Sequence, residues 1–344
     1  MALEKLRIVD SGVELAYYDS GAPDQQTYTT VVALADSILH AAIFKKVGAV
    51  APGKGIRFIA LNRRNYPGSS PFTPEELDVV LKGTEEEKDA WMKDRGHEVG
   101  KFISQIIQEK NLPPISPDGK AGGIVLLGWS LGVGETNAAI AHADTLASSI
   151  RDRLKSYIRA YVLQECAPII LGLPMPEKNW APFVVEGIPA DKRLPFFVQW
   201  LTSYFDHGDL SKRDLDSLEY VVPSTSKPGS IYSMSKADQE EIICVGQETA
   251  IEGAYMVGFG TQFNANYRKA LFNPATRALF PHMKITYLVG DKSGSYAIAS
   301  LWVLEDDSEK AGKNSINFKV APGCNHFVQW DDPEQAVDLY MSCA

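Results

Sequence analysis

The sequence lacks any run of about 18 consecutive apolar residues, the minimum for a membrane-crossing helix. Its first residues, Met1-Ala2-Leu3-Glu4-Lys5-Leu6-Arg7, are mixed in charge and carry no apolar h-region, so no secretory signal is expected there. Cysteine is scarce. Cys166, Cys244, Cys324 and Cys343 are scattered, without the spacing of a metal site, and read as free thiols in a reducing, cytoplasmic setting. Basic residues are outnumbered, 34 Lys and Arg against 43 Asp and Glu, for a net charge of −9. Such a surface repels phosphate backbones, which excludes nucleic acid as the expected partner. Internal repeats and low-complexity tracts are also missing, which excludes a solenoid or a long disordered linker.

What is present is an alternation of strand and helix patterns. Short apolar runs at Leu6 to Val9, Val13 to Tyr18, Tyr28 to Ala35 and Ile56 to Leu61 have strand length. Ile38 to Val50 and Glu85 to Asn111 repeat apolar residues at helical spacing, with a Pro-, Gly- and Ser-rich loop at Asn62 to Pro74 before the second. Gly122 to Leu127 and Ile158 to Leu163 read as further strands, separated by a helix over Leu131 to Ile150. The alternation returns at Ile285 to Val289, a helix near Tyr296 to Leu304, Ile316 to Val320, and a closing helix at Glu334 to Met341. This order predicts an α/β protein with a mostly parallel sheet flanked by helices. The interruption divides the chain into a core of residues 1–168 and 269–344 and an inserted cap of residues 169–268, between strands six and seven. Ligands bind at the carboxyl edge of such sheets, where the cap would lie.

The sharpest local signal is Gly128-Trp129-Ser130-Leu131-Gly132. An apolar strand runs into it and a helix leaves it, the setting of a strained elbow that presents a serine hydroxyl. The backbone N–H of Leu131 would point where an oxyanion forms. Serine needs a base. Of six histidines, His326 alone follows the last strand directly, in Gly323-Cys324-Asn325-His326. The base in turn needs a carboxylate. Glu165 after strand six and Asp291 after strand seven both fit the chain order serine, acid, histidine.

The elbow, the late histidine and the strand order resemble the α/β-hydrolase superfamily over nearly the whole chain. The resemblance implies an acid three residues past the glycine that ends strand seven. That place is Ser293. It also implies an alternative: the haloalkane-dehalogenase branch carries a glutamate after strand six followed shortly by proline, as in Glu165 and Pro168. On that likeness Glu165 is preferred to Asp291. The nucleophile here is serine, so dehalogenation chemistry does not carry over.

One departure stands out. Most members of that superfamily have His-Gly after strand three, where this chain has Ala35-Asp36-Ser37. Ser37 would supply the second oxyanion N–H. Asp36 is expected to cap the helix beginning at Ile38, or else to point inward as an acid or base. The segment Asn62-Arg63-Arg64-Asn65-Tyr66-Pro67-Gly68 resembles fungal members, and Arg63 and Arg64 are expected to tie loops together. Trp129, Trp200 and Tyr204 are the expected apolar contacts to substrate, alongside Asp36.

The sequence therefore predicts a Ser130-His326-Glu165 serine hydrolase, of esterase or thioesterase type, for a small apolar ester, thioester or lactone-like metabolite. Neither metal nor organic cofactor is needed. On analogy with fungal members the setting is secondary metabolism. Two rivals share the pocket: a non-hydrolytic cyclase or isomerase of a polyketide-like substrate, and a silent ligand-binding protein.

Overall fold

The computed structural model describes residues 2–244, 246, 251–312 and 315–344. Residues 245 and 247–250 of the expected cap lie outside the described residues. The described strands are β1 (Leu3–Arg7), β2 (Glu14–Asp19), β3 (Thr29–Leu34), β4 (Ile56–Leu61), β5 (Ile124–Trp129), β6 (Ile158–Gln164), β7 (Lys284–Gly290) and β8 (Asn317–Ala321). They form one sheet in the order β1-β2-β4-β3-β5-β6-β7-β8. The pairs β1–β2 and β2–β4 are antiparallel and the rest parallel. Every residue of β3, β4, β5 and β6 is buried, which is why these strands read as unbroken apolar runs: helices cover both faces.

The strand order creates the site. The chain leaves β3 toward β4 on one side and leaves β5 toward β6 on the other, so the carboxyl ends of β3 and β5 flank a topological switch point. Leu34 pairs with Gly128, so the residues just past β3 lie beside the residues just past β5. Gln164 pairs with Trp129 on one side and Leu288 on the other, which brings the ends of β5, β6 and β7 level.

Several local expectations are corrected. The helix expected from Ile38 is a 3₁₀ turn, Ala41–Phe44, followed by a helix over Lys45–Val50. Residues 38–40 instead run alongside the inserted segment: Cys244 N–H donates to Ile38 O (2.7 Å) and His40 N–H to Ile242 O (3.2 Å). The long helix expected after the elbow is split into Gly132–Ala141, a 3₁₀ turn at Ala143–Thr145, and Ser148–Tyr157. A helix at Pro74–Lys82 went unread, although Thr73 and Glu76 form a capping box with Pro74 at its first position.

Between β6 and β7 the described helices are Ala190–Leu201, Lys236–Ile242, Glu252–Gly258, Gly260–Phe272 and Pro274–Leu279. The helix Gly260–Phe272 runs through the expected cap boundary at 268 and packs on the elbow helix, with Phe263 closing over Gly134. Among the described residues no helix is long and apolar enough to cross a membrane.

The elbow works only with glycine at its flank. A Cβ on Gly132 would stand 2.5 Å from Leu34 O and 2.8 Å from Ala35 O, both backbone atoms that cannot yield cheaply. Gly132→Ala is expected to destabilise the fold by about 1–3 kcal/mol through overpacking. Gly253→Ala, in a helix with nothing within 4 Å of the added Cβ, should leave stability unchanged or slightly raised. Urea unfolding midpoints check the pair, and a wild-type midpoint for Gly132→Ala would refute the packing argument.

Candidate active site

Ser130 occupies the turn between β5 and the helix Gly132–Ala141 with φ of +52°, a conformation that L-residues rarely adopt. Its N–H donates to Gln164 O at 2.8 Å, which fixes the turn to β6. Gly128 is required on the other flank, because a Cβ there would meet Thr136 Oγ1 at 2.4 Å. Ser130 stays partly exposed and lines a cavity of about 510 Å³.

Glu165 follows β6 and also has positive φ, +53°. Its N–H continues the ladder to Leu288 O (3.0 Å), while its side chain turns under β7. Oε1 accepts from Gly290 N–H and from the Ser293 hydroxyl, both at 2.7 Å. Oε2 meets His326 Nδ1 at 2.6 Å. Ser293, in the place where the resemblance would put an acid, thus donates to Glu165 at the end of the neighbouring strand β6. Asp291 is elsewhere: its carboxylate accepts Gly323 N–H at 2.6 Å and shapes the loop before His326.

Asp36 does not cap a helix. The 3₁₀ turn is capped by His40, and Asp36 points inward, buried to 2% exposure. Its Oδ1 accepts Ser37 N–H at 2.6 Å and Leu131 N–H at 3.3 Å. Its Oδ2 lies 3.4 Å from His326 Nε2. The two N–H groups expected to hold a substrate oxyanion therefore hold the protein's own carboxylate. The reason is geometric: without the residue pair His-Gly, the chain leaving β3 brings a carboxyl side chain within reach of the elbow's donors. Among the described residues the Ser130 hydroxyl has no hydrogen-bond partner, and His326 Nε2 faces Asp36 instead.

His326 is fully buried with a carboxylate at each ring nitrogen. Burial by itself favours the neutral ring, but hydrogen bonds and charge from Asp36 and Glu165 outweigh it, and the imidazole pKa is raised to about 9. Trp129 lies behind the elbow with its ring centroid 5.0 Å from that of His326 and no exposed surface. It supports the imidazole and does not line the cavity, which corrects its expected contact with substrate. Tyr204 is also corrected: its hydroxyl donates to Asp331, Lys227 covers its ring at 4.0 Å, and it lies outside the cavity wall.

Trp200 does line the cavity, its indole N–H fixed to Tyr220 O at 3.2 Å. Trp180, Phe183, Phe197 and Met256 complete an apolar wall supplied by the inserted segment. The ionisable side chains in the wall are Asp36, Glu252 and Tyr296, and none of the lining residues is Lys or Arg. Glu252 and Tyr296 were not legible as site residues. Tyr296 packs edge-on to His326, with ring centroids 5.6 Å apart, and its buried hydroxyl has no hydrogen-bond partner among the described residues. Arg63 and Arg64 do tie loops together. Arg63 reaches Asp36 O (3.0 Å), Glu135 and Glu252, and Arg64 reaches Ser70 O (3.0 Å), Glu76 and Glu98.

Comparisons with known proteins agree on the architecture. Solved structures similar over nearly the full length include a thioesterase domain from the curacin biosynthetic pathway (14% identity, 99% of this chain and 100% of that one, TM-score 0.50). A carboxylesterase of Nitrososphaera gargenis matches at 14% identity (98% and 97% covered, TM-score 0.51), and an epoxide hydrolase variant of Vigna radiata at 11% (99% and 98%, TM-score 0.52). Identities this low establish the fold alone. No curated protein matches the sequence. The model of the alpha/beta hydrolase family matches residues 35–339, from the Asp36 loop to the last helix, and the chain belongs to that family.

Proposed function

We propose that this member of the α/β-hydrolase family is an acid–base enzyme that enolises a small, neutral, apolar carbonyl compound, leading to isomerisation or cyclisation. The observation that carries this reading is the Asp36 carboxylate seated on the Leu131 and Ser37 N–H groups and facing His326 Nε2. A tetrahedral oxyanion would have to displace a carboxylate from those donors, and loss of one such donor alone costs about 100- to 1000-fold in rate.

The proton inventory closes. The raised pKa keeps His326 protonated at neutral pH, so it is poised as an acid. Asp36 takes a proton from the carbon next to the substrate carbonyl, breaking the C–H bond. His326 gives its Nε2 proton to the carbonyl oxygen, forming an enol. In isomerisation Asp36 returns its proton to a different carbon while the enol O–H gives its proton back to His326 Nε2 and the carbonyl re-forms. In ring closure the enol carbon bonds to a second carbonyl carbon, the enol O–H proton returns to His326 Nε2, and Asp36 protonates the new alkoxide. Either route leaves Asp36 a carboxylate and His326 protonated, as at the start. Glu165 holds Nδ1 and stabilises the charged ring, and Ser130 orients the carbonyl by hydrogen bonding. The aromatic wall suits a ring-bearing molecule, and the absence of cations from it disfavours acidic ones. Residues 169–268 act as the cap over this pocket, and secondary metabolism remains the proposed setting.

A second reading, acyl transfer by Ser130 with His326 and Glu165, is favoured by the strained elbow and the 2.6 Å Glu165–His326 contact. It requires Asp36 to leave the oxyanion donors.

Deuterium uptake by 2-tetralone in D₂O and turnover of p-nitrophenyl butyrate separate the two. Asp36→Asn should reduce exchange by about 100-fold or more, the usual worth of a general base, while ester turnover holds or rises. Ser130→Ala should keep exchange within about tenfold, since it removes only an orienting hydrogen bond. Exchange undiminished in Asp36→Asn, with ester turnover abolished by Ser130→Ala, would replace the first reading by the second.

The raised His326 pKa sets a pH dependence. A group protonated more readily in the folded state contributes stability that is fully present below its unfolded pKa of 6.5 and is lost as pH rises through about 9. Urea unfolding should show declining stability across that window, and exchange should fall on the same basic limb. Asp36→Asn and Glu165→Gln should each flatten the decline and move it to lower pH. An unchanged slope in both variants would show that His326 does not carry the charge.

A further inference from the structure

The segment bearing Asp36 is held from outside the core. Ile38 has φ of +53°, a strained choice for a β-branched residue that persists only where its surroundings enforce it. Its N–H donates to Glu252 Oε2 at 3.0 Å, and its carbonyl accepts Cys244 N–H at 2.7 Å. Leu39 forms an isolated antiparallel bridge with Ile243. Glu252 is 4% exposed, and its other oxygen accepts from Tyr66 Oη (2.6 Å) and Arg63 Nη2 (2.5 Å). The same Arg63 nitrogen donates to Asp36 O at 3.0 Å. Glu252 therefore reaches both ends of the short segment 36–38, directly at Ile38 and through Arg63 at Asp36. It sits on the inserted helix Glu252–Gly258, which also lines the cavity.

We propose that Glu252 is a positioning residue that seats Asp36 on the oxyanion donors, so that the inserted segment controls whether those donors are filled. With Glu252 in place, Ile38 stays strained and the Asp36 carboxylate is clamped against Leu131 N–H and His326. When that helix shifts away, Ile38 N–H loses its buried acceptor and relaxes, Arg63 loses the charge that orients it, and Asp36 swings off the two N–H groups. The inference rests on the Asp36–His326 pairing used above. It is tested without turnover, so its failure and that of the proton-transfer reading are distinguishable.

The groups facing the His326 ring are Asp36 at Nε2, Glu165 at Nδ1 and the Tyr296 edge, with uncharged Trp129 and Phe327 completing its surroundings. Only Asp36 among these depends on Glu252. The measurement is the ¹⁵N titration of the His326 imidazole, assigned by its disappearance in His326→Gln, together with the rate of Ser130 labelling by a fluorophosphonate. Glu252→Gln should lower the His326 midpoint by about one unit or more, the effect of a lost carboxylate neighbour. It should also speed labelling by about tenfold or more, since the vacated donors can hold the phosphonyl oxygen. Asp36→Asn should do the same, and the double variant should go no further than Asp36→Asn alone, because both changes act through one carboxylate. A purely structural role predicts additive effects and slower labelling. Should Glu252→Gln fail to fold, Tyr66→Phe removes one donor to the same oxygen and should shift both readouts in the same direction by a smaller amount. Unchanged midpoint and labelling in a folded Glu252→Gln, additivity in the double variant, or an unchanged Tyr66→Phe where Glu252→Gln does not fold, would overturn the proposal.

Discussion

The carboxylate of Asp36 meets two backbone N–H groups and one imidazole nitrogen, and these partners come from three separate stretches of chain. Ser37 is its neighbour, Leu131 opens the elbow, and His326 arrives from the loop after β8. Their convergence depends on the sheet order, which places the end of β3 beside the end of β5. Buried charge is expensive unless compensated, and here compensation runs as a chain: Asp36, His326 and Glu165, then Gly290 N–H and the Ser293 hydroxyl. Each member gives the next a reason to be where it is. The buried ring favours its charged form because it has a carboxylate at each nitrogen, and each carboxylate has N–H or O–H donors besides the ring.

A second buried network lies on the other side of the Asp36 loop. Arg63 is surrounded by Glu135, Glu252 and the Asp36 carbonyl, while Arg64 and Arg95 pair with Glu76 and Glu98. Buried ion networks add little net stability relative to apolar packing, but removing one partner from them is costly. Their effect here is directional: they fix the loops after β3 and β4 and join them to the inserted segment. Glu252 of this network and Asp36 beside the imidazole both line the apolar cavity, together with the aromatic side chains of Trp180, Phe183, Phe197 and Trp200. On the proposed reading, a neutral carbonyl substrate there would lose little on leaving water, and its carbonyl oxygen would meet acid–base groups in a low-dielectric setting.

The family match and the departure from the family pattern fit together. The core, the elbow and the loop that carries His326 follow from the α/β-hydrolase architecture. The departure is a single loop, 36–38, in which an inward carboxylate occupies the N–H groups expected to hold an oxyanion. On the proposed reading fold and reaction are separable for this reason: the scaffold sets where groups converge, and the identity of one side chain would decide whether the convergence receives an oxyanion or transfers a proton.

By itself the sequence determined the layer order, the elbow and the histidine, because these are local signals. Buried parallel strands read as apolar runs, Gly128 and Gly132 flank a serine that only a tight turn accommodates, and His326 follows the last strand within a few residues. Glu165 was legible only through a likeness to other proteins, since two carboxylates fitted the chain order equally. The direction of Asp36 was left open between a helix cap and an inward acid or base. A residue before an apolar helical pattern reads as a helix cap, and here Ile38 is drawn out of that helix by partners at Cys244 and Glu252, more than two hundred residues away. Trp129 and Tyr204 were misplaced for a related reason: sequence shows that an aromatic is near the site but not which side of the backbone it faces. Tertiary structure decided those directions, because a side chain's orientation is set by whichever buried partner it must satisfy, and that partner can lie anywhere along the chain.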